Sequence, residues 1–532
     1  METDKKFSYV LFSVFFLISG CSSFSSVRFK DQPIVWKVDD EKKIPEPEKI
    51  EVTMVEYHGG GFFTRRLTRF LELRDIEPAH NTNALDEIPD SSWFTNRIGI
   101  GKISPDDAAW GANVKGSPKL PLTVVKGKSD GRDGGFFAKD ATGRLFLVKF
   151  DSKSNPEMRT ATSAMVSRFF WTAGYHVPAE NVFYFCRKDV QLDPIATIKN
   201  DLNEMVAFGA KDLEDVFERA DSFKKNCYRA FGSEILKGES KGGFPAEGIR
   251  KDDPNDLIPH EHRRELRALR VFSAWVGHND MTQGNTLDMY VEENGKRFLK
   301  HHLIDFSDAL AAYQVSSKRL EMGWEHYWDW EYQPLAALAL GLWKRPWEDQ
   351  KETRWKALGT FSADGFDPER WRGGFPYWPY TEMDAADAYW IAKIIMKFDR
   401  KFLEAIVAKG ELSDSAASSY LVETLLKRRD KIGRTYFEAV TPLDDFSIRN
   451  GQICATDLSL HYEFVKEGSL ERLGKTHQIS PKGEVCFPMK KEKGYQVDRL
   501  KIRRGEEEKP EMQIHYISDE RPRIVGLIRT AE

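Results

Sequence analysis

The sequence lacks several features that would assign a function class at once. Its 79 Lys and Arg residues are nearly balanced by 83 Asp and Glu residues, for a net charge of −4, so no basic field favours nucleic acid as a partner. No CxxC pair is present, which argues against a zinc ribbon, and we find no internal repeat or long low-complexity segment. The 532 residues, 41% hydrophobic and 30% charged, are typical of a globular protein with roughly two to four domains.

The N-terminus resembles a bacterial lipoprotein signal peptide. Lys5 and Lys6 precede an apolar run over residues 7–18, which is shorter than the ~20 residues needed to span a bilayer but suits a secretory signal. The run leads into an Ile-Ser-Gly-Cys motif ending at Cys21, which resembles the lipobox in which the Cys is lipidated. The residue after this Cys is Ser22 and not Asp, which resembles lipoproteins that are sorted to the outer membrane. We therefore expect a lipid-anchored protein of the cell envelope, at the outer membrane; a buried apolar helix is the alternative.

The remaining cysteines agree with export. By sequence they fall as two pairs, with separations of 41 and 32 residues, and an oxidising periplasm would let both pairs close as disulfides. Spacing alone leaves the connectivity open. The disulfide candidates are Cys186, Cys227, Cys454 and Cys486.

Changes in residue pattern divide the chain into segments. Three short β-like runs with Gly-bearing turns begin at Leu122, and a helical pattern covers 157–173. Further helical patterns follow, and short strands return from Asp444. This order predicts an α+β fold with a small antiparallel sheet lobe, a helical lobe and a C-terminal all-β module. The predicted segments are a signal peptide at 1–21, an N-terminal extension at 22–115, the sheet lobe at 116–190, the helical lobe at 191–443 and the β-domain at 444–532.

Two features of the predicted sheet suggest phosphate binding. Gly131, Gly134 and Gly135 lie in the turn between the first two strands, where backbone N–H groups can approach an anion. An ordinary hairpin turn is the alternative. Lys149 lies in the third strand, FLVKFD, among apolar residues, where a Lys is costly unless it reaches a partner. Strand alternation also allows Lys149 to face solvent.

Three oxygen-bearing side chains follow in the order that phosphoryl transfer from ATP requires. Asp280 and Asn285 come directly after an amphipathic helix, with the D-x-x-x-x-N spacing of a kinase catalytic loop. Asp280 would accept the proton of the attacking hydroxyl, and Asn285 would offer an amide oxygen to Mg²⁺. Asp305, after the strand-like FLKHHLI, would bridge Mg²⁺ to the phosphates.

The stretch GGFFAKDATGRLFLVKFD, together with HND-x₄-N followed by IDF, resembles the atypical protein-kinase-like superfamily. The branch includes phosphatidylinositol 3-/4-kinases, HipA-type toxin kinases and spore-coat kinases, and the resemblance covers roughly residues 120–310. It implies a two-lobed kinase-like fold that binds ATP and Mg²⁺ in the cleft. It also implies phosphate binding by Lys149, a base at Asp280 and metal ligands at Asn285 and Asp305. The acceptor stays open among a protein, a glycan and a lipid.

Two departures from the family pattern keep a second function class open. The helix after Lys149 should carry a Glu that pairs with it, but the expected position is Ser163, and Glu157 lies earlier on the same helix. The Asp-Phe-Gly motif has Ser307 in place of Gly, which restricts the backbone of the loop. These changes favour a pseudokinase scaffold that binds a nucleotide or an envelope partner without turnover.

A third class is a metal-dependent hydrolase. Five histidines fall close together in sequence and, with Asp280 and Asp305, would supply metal ligands. No HExxH or comparable spacing supports this class. The five are His260, His262, His278, His301 and His302.

Two aromatic-rich stretches are not explained by any of these three function classes. WEHYWDWEYQP covers 324–334 and FPYWPY covers 375–380. They either line a groove for a glycan or a lipid headgroup or pack the helices, and packing is the more common role of such clusters.

Overall fold

The computed structural model describes residues 28–51, 59–71, 76–129, 134–200, 202–312 and 321–530. Within these ranges the chain combines helices with several β-sheets, which confirms the predicted α+β class. No helix of the described ranges has the length and hydropathy needed to cross a membrane. Cys21 and Gly131 lie outside the described residues. The α-helices are α1 Arg65–Leu71, α2 Pro105–Trp110, α3 Met158–Ala173, α4 Ala210–Arg219, α5 Arg264–Val276, α6 Tyr332–Leu338, α7 Trp378–Thr381, α8 Ala385–Met396, α9 Arg400–Val407, α10 Ser415–Phe437 and α11 Leu458–His461.

The largest sheet has seven strands in the order β4-β7-β3-β2-β1-β5-β6. β1, β2 and β3 correspond to the three predicted runs and pair antiparallel. Helix α4 adds Leu213, Val216 and Phe217 to the core of this sheet. The strands are β1 Leu122–Gly127, β2 Gly135–Lys139, β3 Leu145–Phe150, β4 Glu180–Cys186, β5 Val190–Lys199, β6 Met205–Ala207 and β7 Cys227–Glu234.

This sheet is larger than predicted and is not wholly antiparallel. β1 pairs in parallel with β5, and β6 and β7 lie in the segment predicted to be helical. The sequences of β5, VQLDPIATIK, and β7, CYRAFGSE, do not alternate strictly between apolar and polar residues, so their periodicity carries no strand signal. β7 lies between β3 and β4, and all but its last residue are buried.

The structure contains both predicted disulfides. Cys186 is bonded to Cys227 at a separation of 41 residues, and Cys454 to Cys486 at a separation of 32. In each case the two cysteines lie directly opposite each other on paired antiparallel strands. Each disulfide therefore links neighbouring strands of one sheet, which settles the connectivity that spacing leaves open.

Helix α3 lies between the seven-stranded sheet and the helical part of the chain. All of its residues except Trp171 are buried. The helix ends at Ala173, and Gly174 has a φ of 140°, where an added Cβ would collide with the ring of Phe94. Gly174 therefore stops the helix, as predicted, at a point where the N-terminal extension packs closely against it.

Helix α5 and a β-hairpin carry the chain through the predicted motifs. α5 is buried against α8 and α10 and ends at Gly277, whose φ of 62° suits a glycine. Next come β9 Thr286–Glu293 and β10 Lys296–Leu303, in a three-stranded sheet with β8 Glu239–Ser240. Thr286 pairs with Leu303. The residues just before β9 and just after β10 are therefore neighbours, although far apart in sequence.

The C-terminal region is rich in β-strands, but it is not all-β as predicted, because helix α11 lies between β12 and β13. One sheet has the order β11-β12-β15, and the other has the order β14-β13-β16-β18-β19, with β17 paired to β16. A separate hydrophobic core lies between them and includes Phe487, Leu500 and Ile514. The strands are β11 Leu443–Arg449, β12 Gln452–Asp457, β13 Ser469–Arg472, β14 Lys475–Gln478, β15 Glu484–Pro488, β16 Gly494–Arg504, β17 Glu507–Glu508, β18 Met512–Ser518 and β19 Arg523–Arg529.

The start of the N-terminal extension packs on this C-terminal region. Phe29 is buried with Ile517 and Val525, and its backbone N–H donates to the Tyr495 hydroxyl at 3.2 Å. A Cβ added at Gly526 would collide with the Phe29 ring, so the two segments approach as closely as a glycine allows. The first described residues are thus held on the last two long strands.

Candidate functional site

Lys149 reaches a carboxylate partner from inside the large sheet. It lies on β3 and is 5% exposed. Its Nζ donates to Asp305 Oδ2 at 2.9 Å and lies 5.6 Å from the centre of the Phe231 ring. Buried and half-buried residues alternate along β3 only as far as Val148. Lys149 and both of its neighbours are buried. Of the two environments that the sequence leaves open, the structure gives Lys149 the buried one.

The glycines of the predicted phosphate-binding turn differ in their surroundings. Gly135 pairs with Lys149 across β2 and β3, and an added Cβ would lie 2.5 Å from the Val148 carbonyl oxygen. Gly135 is therefore required for the close approach of two strands. A Cβ at Gly134 would meet only Val216, at an ordinary 3.7 Å. Phosphate binding by these glycines stays a prediction.

Asp305 is held through both carboxylate oxygens. Lys149 donates to Oδ2, and the Ser307 hydroxyl donates to Oδ1 at 2.7 Å. Its φ of 56° lies in the left-handed region, which costs a residue with a Cβ about 1–2 kcal/mol. Burial opposes ionisation, but the charge of Lys149 and the hydrogen bonds from Ser307 and Lys149 lower the pKa of Asp305 below its ordinary value. Ser307 thus has a definite role, because its hydroxyl fixes the carboxylate.

Asp280 and Asn285 contact each other across the predicted catalytic loop. Asn285 Nδ2 donates to Asp280 Oδ2 at 2.9 Å and to its backbone carbonyl at 2.6 Å. Burial, followed by the charges of Asp308 and Asp305, raises the pKa of Asp280 to about 7, against the effect of the Asn285 hydrogen bond. Asp280 therefore lies close enough to Asp305 and Asp308 for their charges to act on it. The amide oxygen of Asn285 is the atom left to serve as a ligand.

Arg159 and Asp308 also belong to this site, although the sequence analysis missed them. Arg159 lies at the start of α3, and its Nη2 donates to Ser307 Oγ at 2.6 Å and to Asp308 Oδ1 at 2.9 Å. Asp151 fixes this end of the helix, because its Oδ1 accepts from the backbone N–H groups of Arg159 at 2.8 Å and Thr160 at 3.0 Å. Because this helix also contains Arg168 and several Thr and Ser residues, its sequence held no signal that singled out Arg159.

Glu180 is a further acidic group that the sequence analysis missed. It begins β4, is 4% exposed, and its Oε2 has no hydrogen-bond partner among the described residues. Burial and then the charge of Asp305 raise its pKa to about 8, while Lys149 and a hydrogen bond with Ser233 lower it. The carboxyl group therefore lies close enough to Lys149 and Asp305 for their charges to act on it. Its position at the head of the apolar run ENVFYFC was the signal.

Helix α3 supplies no acidic partner to Lys149. Ser163 is fully buried, and its Oγ has no hydrogen-bond partner in the described part of the chain. Glu157 accepts from the Ser413 backbone N–H at 3.0 Å, so it is directed away from the site. Glu180 on β4 is the glutamate whose pKa responds to Lys149. The glutamate nearest in effect to the expected partner of Lys149 therefore comes from strand β4 and not from helix α3.

The five histidines do not form a common site with the aspartates. Among the described residues, no histidine is hydrogen-bonded to Asp280 or Asp305. The ring of His278 packs against Phe170 and Phe306, and burial lowers its pKa to about 4. The predicted hydrolase site is therefore not supported. The other contacts are His260–Asp256 at 2.8 Å, His301–Asp288 at 2.6 Å and His302 to the Lys300 carbonyl at 3.0 Å.

His262 belongs to a separate group with Glu77 and His80, whose candidate ligand atoms lie within 4.8 Å of one another. Arg267 Nη2 lies 2.7 Å from His262 Nδ1. Because Arg is always a donor, Nδ1 accepts and the neutral ring carries its proton on Nε2. Neither nitrogen of His262 then offers a lone pair to a metal, so this group carries no metal assignment.

Comparison with known proteins adds little to these observations. No family model matches the chain, and no curated protein matches it. A solved structure described as the crystal structure of the golgi casein kinase is similar, with a TM-score of 0.30 and 10% identity, over 77% of this chain and 96% of that chain. At this TM-score we base no functional argument on the likeness.

Proposed function

We propose that this chain is an atypical kinase-like protein with a two-lobed fold that transfers a phosphoryl group from ATP in the presence of Mg²⁺. The observation that carries the proposal is the ion pair between Lys149 Nζ and Asp305 Oδ2 at 2.9 Å. It joins the large sheet to the loop after β10, next to Asp280 and Asn285. A cationic group, oxygen ligands and a base thus lie together, which is the set that this reaction requires.

The donor atoms fit the proposed ligands. Mg²⁺ prefers oxygen ligands, and Asp305 and Asn285 offer a carboxylate and an amide oxygen. The side chain of Asp305 is 39% exposed, which leaves it accessible to a ligand. Lys149 would bind phosphate oxygens, and Mg²⁺ would neutralise charge on the phosphates. Asp280 would orient the acceptor hydroxyl and take its proton.

Localisation is part of the same proposal. Cys21 would carry the lipid that anchors the protein in the bacterial envelope, at the outer membrane. The two disulfides support this compartment, because such bonds persist in oxidising surroundings. Mass spectrometry of the membrane fraction would test it: a lipid mass on the peptide that begins at Cys21 is expected, and an intact residue 1–21 segment would contradict it.

Thermal unfolding with and without Mg²⁺-ATP tests the site, using the chain without its first 21 residues. A ligand at 100 times its dissociation constant stabilises the folded state by about 2.7 kcal/mol. We expect this stabilisation in the parent chain and in a Glu467→Ala control, which changes an exposed carboxylate. It should be lost in Asp305→Ala. Absence of stabilisation in the folded parent at millimolar Mg²⁺-ATP would refute nucleotide binding.

A pseudokinase scaffold is the second candidate, and the surroundings of Lys149 favour it. Ser163 replaces the expected Glu, Glu157 is directed away, and Arg159 occupies the start of α3 instead. Transfer of labelled γ-phosphate separates the two candidates. Turnover that Asp280→Asn abolishes, with Mg²⁺-ATP stabilisation retained, supports the phosphotransferase. Stabilisation without turnover on any acceptor supports the scaffold.

A further inference from the structure

A cavity of about 740 Å³ opens beside the catalytic loop. Gly277 and Asn279, which directly precede Asp280, form part of its lining. Neither Lys149 nor Asp305 is among the described residues that line it. Its volume falls in the range of about 300–1,000 Å³ that is common for small-molecule sites. The cavity is therefore a separate space that adjoins the residue proposed to receive the acceptor proton.

The cavity is aromatic and has no excess charge. Four acidic and four basic side chains occur among its described lining residues, so their charges cancel and favour neither an anion nor a cation. Trp324, from one of the aromatic-rich stretches, lines it beside Gly365. Flat aromatic rings pack well against the C–H faces of sugar rings, but Arg354 lies over Trp355 at 4.3 Å and Arg428 lies over Phe361 and Phe366 at 4.6 and 3.7 Å. Trp324 is half-buried and is the ring considered for such packing. The aromatic lining residues are Trp324, Trp355, Phe361, Phe366, Trp371 and Tyr420.

A hydrogen-bond acceptor and a donor from the cavity lining both lie near Gly323, which also lines the cavity. A Cβ built on Gly323, which has a φ of +86°, would lie 3.2 Å from Trp371 Nε1 and 4.0 Å from Asn279 Oδ1. Asn279 is 3% exposed, its Nδ2 donates to the Gly277 carbonyl at 2.9 Å, and its Oδ1 has no hydrogen-bond partner among the described residues. A buried acceptor without a partner is costly. A hydroxyl group is able both to donate to an oxygen such as Asn279 Oδ1 and to accept from an N–H such as that of Trp371.

We propose that this cavity binds a neutral saccharide, with a hydroxyl group near Asn279 and Trp371 and the sugar ring against the ring of Trp324. The assignment of this sugar as phosphate acceptor rests on the proposed function. A sugar hydroxyl would form a new bond to the γ-phosphorus of ATP, the bond from that phosphorus to the bridging oxygen would break, ADP would leave, and Asp280 would take the hydroxyl proton. The aromatic lining and its balanced charge suit the neutral ring and hydroxyl groups of a saccharide better than the negative charges of an acidic peptide.

The test begins with the full chain in detergent on an array of neutral glycans, anionic glycans and peptides. Calorimetric titration of the best-retained neutral glycan then gives its dissociation constant. Trp371→Phe removes the indole N–H but keeps an aromatic ring, so the dissociation constant should rise about tenfold, as expected for one lost hydrogen bond. Trp110→Phe is the matched control, because Trp110 is 52% exposed and lies outside the cavity lining. Its affinity should equal that of the parent.

The outcomes separate this inference from the proposed function. Retention of neutral glycans, weakened by Trp371→Phe and unchanged by Asp305→Ala, supports the saccharide site even where no phosphate is transferred. Transfer of labelled phosphate to the bound glycan supports both proposals. Failure of the folded protein to retain any neutral glycan, preference for anionic glycans or peptides, or equal affinity of Trp371→Phe and the parent would overturn the inference. Stabilisation by Mg²⁺-ATP would still test the nucleotide site alone.

Discussion

Replacing Lys149 by Met tests the ion pair that joins the two sides of the proposed site. The paired side chains are 7% and 39% exposed, for Lys149 and Asp305 respectively. Removing one partner of a fully buried pair costs about 3–5 kcal/mol. The partial exposure of Asp305 lets water solvate the charge that remains, so we expect a loss of about 2 kcal/mol in the free energy of unfolding.

A double-mutant cycle isolates the interaction itself. Asp305→Asn keeps the shape of the side chain and removes its charge. The two substitutions should be non-additive, with a coupling energy of about 1–2 kcal/mol in urea unfolding at pH 7. The pair Lys37–Glu41, at 3.0 Å with side chains 65% and 27% exposed, provides the control. The same cycle there should give less than about 0.5 kcal/mol, because solvent and salt screen it.

Glu180 does not obscure this measurement. Because burial and the charge of Asp305 raise its pKa to about 8, Glu180 is mostly protonated at pH 7 and adds little repulsion when Lys149 is removed. Additive losses, within about 0.3 kcal/mol, would refute a direct interaction. Lys149 would then be an isolated buried cation, and the argument for a phosphate site between the sheet and the loop after β10 would fail.

Two further predictions concern stability. Gly135→Ala should cost about 1–3 kcal/mol, because its Cβ would lie 2.5 Å from the Val148 carbonyl oxygen, whereas Gly134→Ala should stay within about 0.5 kcal/mol of the parent in the same urea titration. Equal effects would contradict the close strand approach. Burial lowers the pKa of His278 and His302 to about 4 from 6.5, so the unfolded chain binds these protons first as the pH falls. The raised pKa values of Asp280 and Glu180 act in the opposite sense over this range, so the histidine contribution is measured against a His302→Gln variant. Relative to that variant, the free energy of unfolding of the parent should fall between pH 6.5 and 4 by up to about 1.4 kcal/mol per pH unit, and equal pH dependence of the two chains would contradict the assignment.

The residues that sequence predicted best are those with a local spacing. Asp280 and Asn285 share one loop, and their five-residue spacing brings amide and carboxylate into contact. Asp305 could be placed near Asp280 and Asn285 because the hairpin of β9 and β10 brings the residues after β10 back beside the residues before β9. Lys149 was recognisable because a cation inside an apolar strand requires a partner. The roles of these residues in catalysis stay predictions.

The residues that sequence missed reach the site only through tertiary packing. Glu180 comes near Lys149 because β4 and β3 lie on either side of β7, and Arg159 reaches Asp308 because Asp151 fixes the start of α3. No spacing within one element encodes either relation. The same holds for the large sheet, whose strand β7 is covered on both sides and therefore lacks the alternation from which a strand is recognised.

The packing of Phe29 on the C-terminal sheet sets a limit on where the protein can sit relative to a membrane. Phe29 lies eight positions after Cys21, and eight extended residues span at most about 28 Å. With the proposed lipid on Cys21, the surface formed by β18 and β19 must stay within that distance of the bilayer. Such a tether would limit how far the protein can move from the membrane, so its acceptors would have to lie near the bilayer.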